Sequence, residues 1–585
     1  MASSEKREKK GLLQNAFSSH KWDSRIRSAN TTKKEMWLGY VLGVWGMMMT
    51  SSIVNSYYNQ YLTDILGFTS SKGVWIATFM VAFPVLSKLL DAITNIIMSK
   101  LIDSTTCRQG KVRPWLLLSA PVVAVSIILL FWIPFTEPVL QAVWVVVAFN
   151  LYYSVTFTMW NMAKEIMPAV STRNVNQRKN LSMAMTITSN IGTGLVSILF
   201  PTILALISGM VSSSAEGYLL TMSFIACLGV ATTFVQYFYT RERITEERRG
   251  QTVSSPDAPQ TIHREAGLMT QFRACMTTKY WIIFIVTILL TYILANMRNM
   301  SLVYYAGWVV QGNAYGSYPS VQAKFQMIAL SPMGPGILLL LPLVKKWGRR
   351  TCCWVGGTLC VVGSLIAYLS PGRGMMIYAG TALGAIGTLF FNYTMITYMG
   401  DIIDYVEWKT KVRCDGLTGG LVSAGMMFAT GIAQGLFNLG LMAAGYTTPE
   451  QIGVSENGVA LYADQSAAAT SWINFAYQGT YIIMGLAVFA VFLLLFDIEK
   501  HLPQASRELQ ERKVAECAAL GIEYIPADEL ERREIEQQER LAEESRIAEL
   551  RAHCTKRDLD FDTENRKVLE KRAAKQAKAA RRRRR

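Results

Sequence analysis

The sequence predicts an all-α integral membrane protein of twelve transmembrane helices, arranged as two six-helix bundles. Three observations carry this expectation. Of 585 residues, 51% are hydrophobic and only 17% charged, and the apolar residues come in blocks rather than in amphipathic alternation, so the bulk of the chain belongs in lipid. Runs of about twenty apolar residues, the length that crosses a bilayer, recur twelve times. Six precede a polar segment and six follow it, and in each half a basic, Gly-containing loop follows the second run, as in a duplicated bundle.

The runs lie near 37–62, 74–99, 114–135, 139–163, 181–209 and 218–239, then 280–309, 323–344, 352–369, 376–399, 417–444 and 471–496. This divides the chain into a polar segment 1–35, a bundle 36–240, a linker 241–279 rich in Glu, Arg, Ser and Pro, a second bundle 280–497 and a charged tail 498–585. Gly and Pro within runs, as in Ser331-Pro-Met-Gly-Pro-Gly336 and Gly384-Ala-Ile-Gly387, are expected to be points of flexing. The tail is predicted to be helical over 503–553, with a break near Gly521 and Pro526, and disordered towards its end.

Charge sets the expected orientation. Net charge is +16, which in a soluble protein would suggest nucleic acid. Here the bases sit beside apolar runs, at Lys111 and Arg113, Arg173 to Lys179, Arg241 to Arg249 and Lys345 to Arg350, while the intervening loops keep only Lys72, Lys324 and Arg373. Both termini and 241–279 are therefore expected in the cytoplasm, in a plasma-membrane protein, with the loops around Ser213 and Gln451 outside. No nucleic-acid partner is expected. Residues 1–35 are polar and the first apolar run is too long for a signal core, so a cleaved leader is not expected.

The nine Cys have no ligand spacing and are expected to be free thiols. His20, His263, His501 and His553 fall in polar segments without a zinc pattern, and no P-loop is present. The sequence thus predicts neither an enzyme nor an ATP-driven pump, and no cofactor. Expected partners are the bilayer, a small-molecule solute and, at the terminal run Arg581 to Arg585, anionic lipid; a solvated tail that merely reinforces topology is the competing reading.

Function is signalled by ionisable groups inside apolar runs, which are expensive in hydrocarbon and usually mark a solute or ion path. Lys88-Leu-Leu-Asp91-Ala-Ile-Thr94-Asn95 lies within the second run, and the loop Arg108-Gln-Gly-Lys111-Val-Arg113-Pro-Trp115 follows. Lys88 and Asp91 share a helix face, and mutual pairing that merely makes burial tolerable is the duller explanation. Arg298, between Asn296 and Asn299, is equally a partner for a solute anion or a hydrogen-bonded structural residue. Lys164 and Glu165, at the inner end of the fourth run, belong with a gate.

The motif Lys88-x-x-Asp91-Ala-x-x-Asn95, then Asp103-x-Thr105 and Gly110-Lys-Val-Arg-Pro-Trp115, resembles the second helix and loop of the glycoside-pentoside-hexuronide:cation symporters, the melibiose permease branch of the major facilitator superfamily. The stretch Gly400-Asp401-Ile-Ile-Asp404-Tyr405-Val-Glu407-Trp408, followed by Arg413 and Asp415, resembles that family's acidic loop between helices ten and eleven. Weaker echoes are Tyr40-x-x-Gly43-x-x-Gly46, Tyr61-x-Thr63-Asp64 and Asp497-Ile-Glu-Lys-His. The resemblance covers about 36–512 and implies the major facilitator fold and symport of a sugar-like solute.

It also implies site residues. Cation-coupled relatives place two acids one turn apart on helix two; here Asp91 is kept and Asn95 takes the second place, with Thr94 and Thr158 as further oxygen donors for H+ or Na+. A single formal charge predicts weak sodium coupling. The sugar-gripping charges of galactoside carriers align with Met48, Trp160, about Thr186 and Met427, so Met48, Trp160, Arg298 and Met427 are the substrate candidates. Trp160 offers a face for stacking on a ring, whereas Met and Trp in place of charge also suit a more apolar solute. Asp401, Asp404, Glu407 and Arg413 are expected to form charge pairs between the halves, facing the positive loop Arg108 to Arg113.

The leading expectation is thus a secondary transporter moving a small organic solute by alternating access, with Asp91 as the coupling position. Two alternatives stand beside it. One is an uncoupled facilitator or carrier of an amphipathic, lipid-like solute; the other is a non-transporting sensor or scaffold acting through its tail.

Overall fold

The structure, a computed structural model, describes residues 20–244, 268–519 and 527–570, apart from 29, 70–71, 106, 173, 212, 371–373, 455–459 and 558. Most of the linker and the terminal basic run lie outside the described residues.

The N-terminal half contains α1 (Glu35–Ile65), α2 (Val74–Ser104), α3 (Arg113–Phe131), α4 (Pro138–Ser171), α5 (Val175–Ser208) and α6 (Ser214–Phe238). The C-terminal half contains α7 (Lys279–Tyr315), α8 in two pieces (Tyr318–Leu330 and Met333–Trp347), α9 (Arg349–Tyr368), α10 (Gly374–Thr410), α11 (Asp415–Ala443) and α12 (467–495). Ten helices among the described residues are long and apolar enough to cross a membrane. Of the remaining two predicted spans, α5 contributes only the short apolar stretch Leu199–Ser208, and α8 is broken at Ser331-Pro332, where proline cannot donate to the helix ladder.

α2 shows why this pattern folds as it does. Leu86, Leu89, Leu90, Ile93, Ile96 and Ile97 are exposed, whereas Pro84, Ser87, Lys88, Asp91 and Met98 are buried. At helical spacing this gives one apolar face for lipid and one polar face for the interior, the inverse of a water-soluble helix. Asn438 Nδ2 of α11 donates to Met80 O across the halves at 2.9 Å. α11 approaches α2 at Gly431, where an added Cβ would stand 2.7 Å from Lys88 Cγ and 2.9 Å from Pro84 O.

Gly384 and Gly387 are where α9 and α10 meet, since a Cβ on Gly387 would fall 2.5 Å from Cys360 N and one on Gly363 2.4 Å from Gly384 N. One expectation needs correcting: the acidic stretch Asp401 to Trp408 is not a loop but the last turns of α10, which runs to Thr410. Its acids recur at three-residue spacing, which a helix accommodates on one side.

The connection between α11 and α12 carries a hairpin, β1 (Gln451–Val454) paired antiparallel with β2 (Ala460–Tyr462). The tail begins with α13 (Leu502–Ala519) and continues with α14 (Ala527–Arg557), matching the expected helices on either side of Gly521 and Pro526. α13 is docked rather than solvated: Ala505 and Leu509 are buried, Trp408 Nε1 donates to Glu508 Oε2 at 2.7 Å and Arg512 Nη1 donates to Trp408 O at 3.0 Å. None of the nine Cys forms a disulfide.

Candidate functional site

The two halves meet around a small central cavity lined by Asn55, Tyr58 and Asn59 of α1, Lys88 of α2, Tyr153 of α4 and Gln434 of α11. Free space there is about 10 Å³, room for about one water. Lys88 Nζ donates to Asp91 Oδ2 at 2.7 Å, both residues are buried, and the ammonium lies 4.2 Å from the Tyr153 ring centroid. Ser154 donates to the other carboxylate oxygen of Asp91. Tyr153 and Ser154 are aimed there by a widened π-type stretch of α4, Leu151–Phe157, a feature often found at functional sites. Tyr153 OH in turn donates to Asn55 Oδ1 at 2.7 Å.

The predicted cation ligands are only partly gathered. Thr94 Oγ1 bonds the carbonyls of Leu90 and Asp91, and Asn95 Nδ2 donates to Asp91 O at 2.8 Å and meets Met427 Sδ at 3.3 Å. Asn95 and Met427 therefore do meet across the halves. Thr158 is spent on Tyr153 O, five residues back. Both Asp91 oxygens accept hydrogen bonds, one from the Lys88 ammonium and one from the Ser154 hydroxyl, so Asp91 is held in an ion pair.

Met48 is half-buried and packs against the core that the two halves share. Two substrate candidates lie elsewhere. Trp160 is fully buried with its indole N–H on Gln236 Oε1 at 3.3 Å, inside the N-terminal half, so its face is not available to a solute at the cavity. Arg298 donates to Tyr477 O at 2.9 Å and Gln478 Oε1 at 3.2 Å and lies against the rings of Tyr477 and Tyr481, a hydrogen-bonded structural residue of the C-terminal half.

One end of the interface is closed by a polar latch. Tyr315 OH and Tyr446 OH donate to Asp64 Oδ2 and Oδ1 at 2.5 and 2.9 Å. Around them, Gln60 Nε2 donates to Tyr315 OH at 2.7 Å, Asn59 Nδ2 donates to Tyr304 OH at 3.1 Å, and Thr63 Oγ1 lies 2.8 Å from that same hydroxyl. Gln434 Nε2 of α11 donates to Asn59 Oδ1 at 3.3 Å. Each of these bonds joins the N-terminal half to the C-terminal half.

The other end is different, and it corrects the expected pairing of charges between halves. Among the described residues, Arg349 lies 2.6 Å from Asp401 and 3.5 Å from Glu499, and Arg413 lies 2.6 Å from Glu407 and 3.4 Å from Asp404, all within the C-terminal half. In the N-terminal half Arg113 is buried and donates to Tyr237 O at 3.0 Å, Arg108 pairs with Asp23 at 3.4 Å, and Lys164 pairs with its neighbour Glu165 at 2.8 Å. Helix ends place these acids and bases next to partners of their own half, so each charge is answered locally. Beyond the end of α12, Tyr280 donates to Asp497 and holds its carboxyl below the usual carboxylate range.

The residue types gave partial warning of what motif reading left without a role. Asp64 stood in the Tyr61-x-Thr63-Asp64 echo, and Ser154 follows Asn150 by one turn within an apolar run, but only the fold shows what they face.

Residues 39–500 match the family described as MFS/sugar transport protein. An isoprimeverose transporter of Lactiplantibacillus pentosus is 26% identical over 82% of this chain and 92% of its own length. A putative sulfoquinovose importer of Salmonella typhimurium is 26% identical over 64% of this chain and 74% of its own length. Among solved structures, a bacterial homologue of the lysosomal transporter Spinster superposes with a TM-score of 0.57 at 11% identity, covering 81% of this chain and 99% of that one. A nucleoside transporter superposes at 0.51 with 12% identity, over 78% and 100%.

Proposed function

The chain belongs to the MFS/sugar transport family, and from that premise we propose that it carries a polyhydroxylated solute of the sugar or glycoside class through the central cavity. It is a multi-pass membrane protein and a secondary transporter of a small organic solute. The observation that carries the substrate reading is the cavity lining. Amides of Asn55, Asn59 and Gln434 and the ammonium of Lys88 offer hydrogen bonds, beside the rings of Tyr58 and Tyr153, the mixture of polar groups and aromatic faces that suits a ring bearing hydroxyls. Relatives described as transporters of isoprimeverose and sulfoquinovose support it.

In this reading twelve helices span the plasma membrane, and the basic loops and both termini face the cytoplasm. The latch at Asp64 is then the outer end, closed, and the ends bearing Arg349 and Arg413 are the inner ones. Alternating access requires the latch to part and the inner ends to approach. Asp91, the carboxylate beside the cavity, is the position at which a driving ion acts. A thermal-shift screen of neutral and sulfonated monosaccharides and disaccharides on the purified chain tests the substrate class, because a bound solute stabilises by mass action. Stabilisation by a sugar that Gln434→Ala removes supports the reading; stabilisation by apolar amphiphiles and by no sugar overturns it. Uptake into vesicles with and without imposed proton or sodium gradients separates a coupled carrier from a facilitator.

A further inference from the structure

The central cavity holds one polar group that the protein leaves unanswered. Among its lining residues, Tyr153 bonds Asn55, Gln434 bonds Asn59, Asn59 bonds Tyr304, Lys88 pairs with Asp91, and Thr430 Oγ1 donates to Met426 O at 3.1 Å. The Tyr58 hydroxyl also belongs to this lining, is buried, and forms no hydrogen bond to a described residue. We propose that this hydroxyl is a specificity-determining contact of the carrier: it exchanges a hydrogen bond with one hydroxyl of the bound solute and so selects a hydroxylated ring over its deoxy counterpart. The inference deepens the reading of a polyhydroxylated solute and rests on it.

The group is held in place before any solute arrives. Tyr58 is 1% exposed. Its ring stacks on Phe149 of α4 at 5.6 Å between centroids, meets the edge of Phe131 of α3 at 5.6 Å and stacks on Tyr61 at 6.2 Å. Three aromatic neighbours fix the ring, and with it the oxygen, which lies on the ring axis. Such preorganisation is the condition under which a single contact discriminates. Buried hydroxyls in folded proteins are nearly always bonded, so one left over inside a transport cavity is suited to a partner that comes and goes.

The bonds already made separate Tyr58 from its neighbours. A solute hydroxyl that claims Asn55 Oδ1, Asn59 Oδ1 or Gln434 Nε2 displaces a bond within the protein, exchanging one for another with little net gain. A bond to Tyr58 displaces none. A phenol hydroxyl both donates and accepts, so it meets a solute hydroxyl in either role, whereas a deoxy or apolar solute leaves it unsatisfied in a closed site. Sites that hydrogen-bond a solute hydroxyl reject the analogue lacking it for this reason.

The test titrates the full purified chain and Tyr58→Phe by calorimetry with methyl xylopyranoside, methyl glucopyranoside, a xylosyl-glucose disaccharide and a sulfonated glucose, then with the monodeoxy analogues of each sugar that binds. Phenylalanine keeps the ring, and no described residue loses a partner, so the melting temperature of the solute-free variant should not fall. Sugar affinity is expected to be roughly tenfold lower in Tyr58→Phe, as for the loss of one buried hydrogen bond. One monodeoxy analogue should bind the unaltered chain roughly tenfold more weakly than its parent sugar and lose nothing further in Tyr58→Phe, because both changes delete the same bond. Unchanged sugar affinity in Tyr58→Phe, in which case the hydroxyl serves a water, overturns this inference alone. So does an equal weakening of every analogue, or a lower melting temperature of the solute-free variant, which makes the hydroxyl structural. Failure of all four sugars to bind the unaltered chain overturns the sugar reading and this inference with it.

Discussion

The two ends of the interface between halves are held in opposite ways. At one end, one carboxylate, Asp64, receives hydroxyls from Tyr315 and Tyr446 of the other half; at the other end, Asp401, Asp404 and Glu407 are answered by Arg349 and Arg413 of their own half. A carboxylate bonded by neutral hydroxyls can let go without leaving a second charge unpaired, whereas parting an ion pair at low dielectric strands two. A transporter that must open and close one end repeatedly is thus better served by a latch of the first kind. The charges at the Arg349 and Arg413 end, satisfied locally, leave that end free to approach or separate without breaking any described ion pair.

The largest test is to remove the latch. Asp64→Ala strands the Tyr315 and Tyr446 hydroxyls and should favour the form open at that end by about 2–3 kcal/mol, from the loss of hydrogen bonds to a charged group, which is a shift of roughly 30- to 150-fold. An impermeant thiol reagent on Val54→Cys, in a Cys-depleted chain, reads the opening, because Val54 lines the central cavity, and unchanged labelling would break the comparison. Gly431→Leu comes next. It forces a side chain into Lys88 and the Pro84 carbonyl, and such overpacking costs about 1–3 kcal/mol; loss of both melting temperature and uptake is expected, and normal uptake would mean that α2 and α11 can separate freely at that level.

Tyr315→Phe should act in the same direction as Asp64→Ala but by about 1 kcal/mol, since one hydrogen-bond partner goes and the ring stays. Arg413→Gln should scarcely change Val54→Cys labelling and should alter stability by less than about 1 kcal/mol, because Arg413 is substantially exposed at 38%. A large opening or closing in that variant would show that the charges around Arg413 do act between halves. The smallest effect concerns pH. Tyr280 depresses the Asp497 carboxyl, so this contact contributes stability above the ordinary carboxylate range near about pH 4, and that stability is lost as pH falls through the folded value. Melting curves of Tyr280→Phe should show a shallower loss towards acid than the parent, and superimposable profiles would show that Asp497 does not stabilise that end of the C-terminal half.

Composition and order along the chain were enough for the fold class and for the burial of Lys88 and Asp91. Bilayer thickness dictates run length and hydrocarbon dictates which face of α2 turns inward, so both are written in local pattern. Partner choice is not local. Asp91 finds Lys88 three positions away, but its second partner, Ser154, and the partners of Trp160 and Arg298, Gln236 and Tyr477, lie 63, 76 and 179 positions away. Helix rotation and crossing decide whether such a side chain meets the central cavity, as Lys88 does, or is used up inside one bundle, as Trp160 and Arg298 are. The same reason explains the latch: Asp64, Tyr315 and Tyr446 come together only because the ends of α1, α7 and α11 converge, and that convergence is set by packing across the whole interface rather than by any motif.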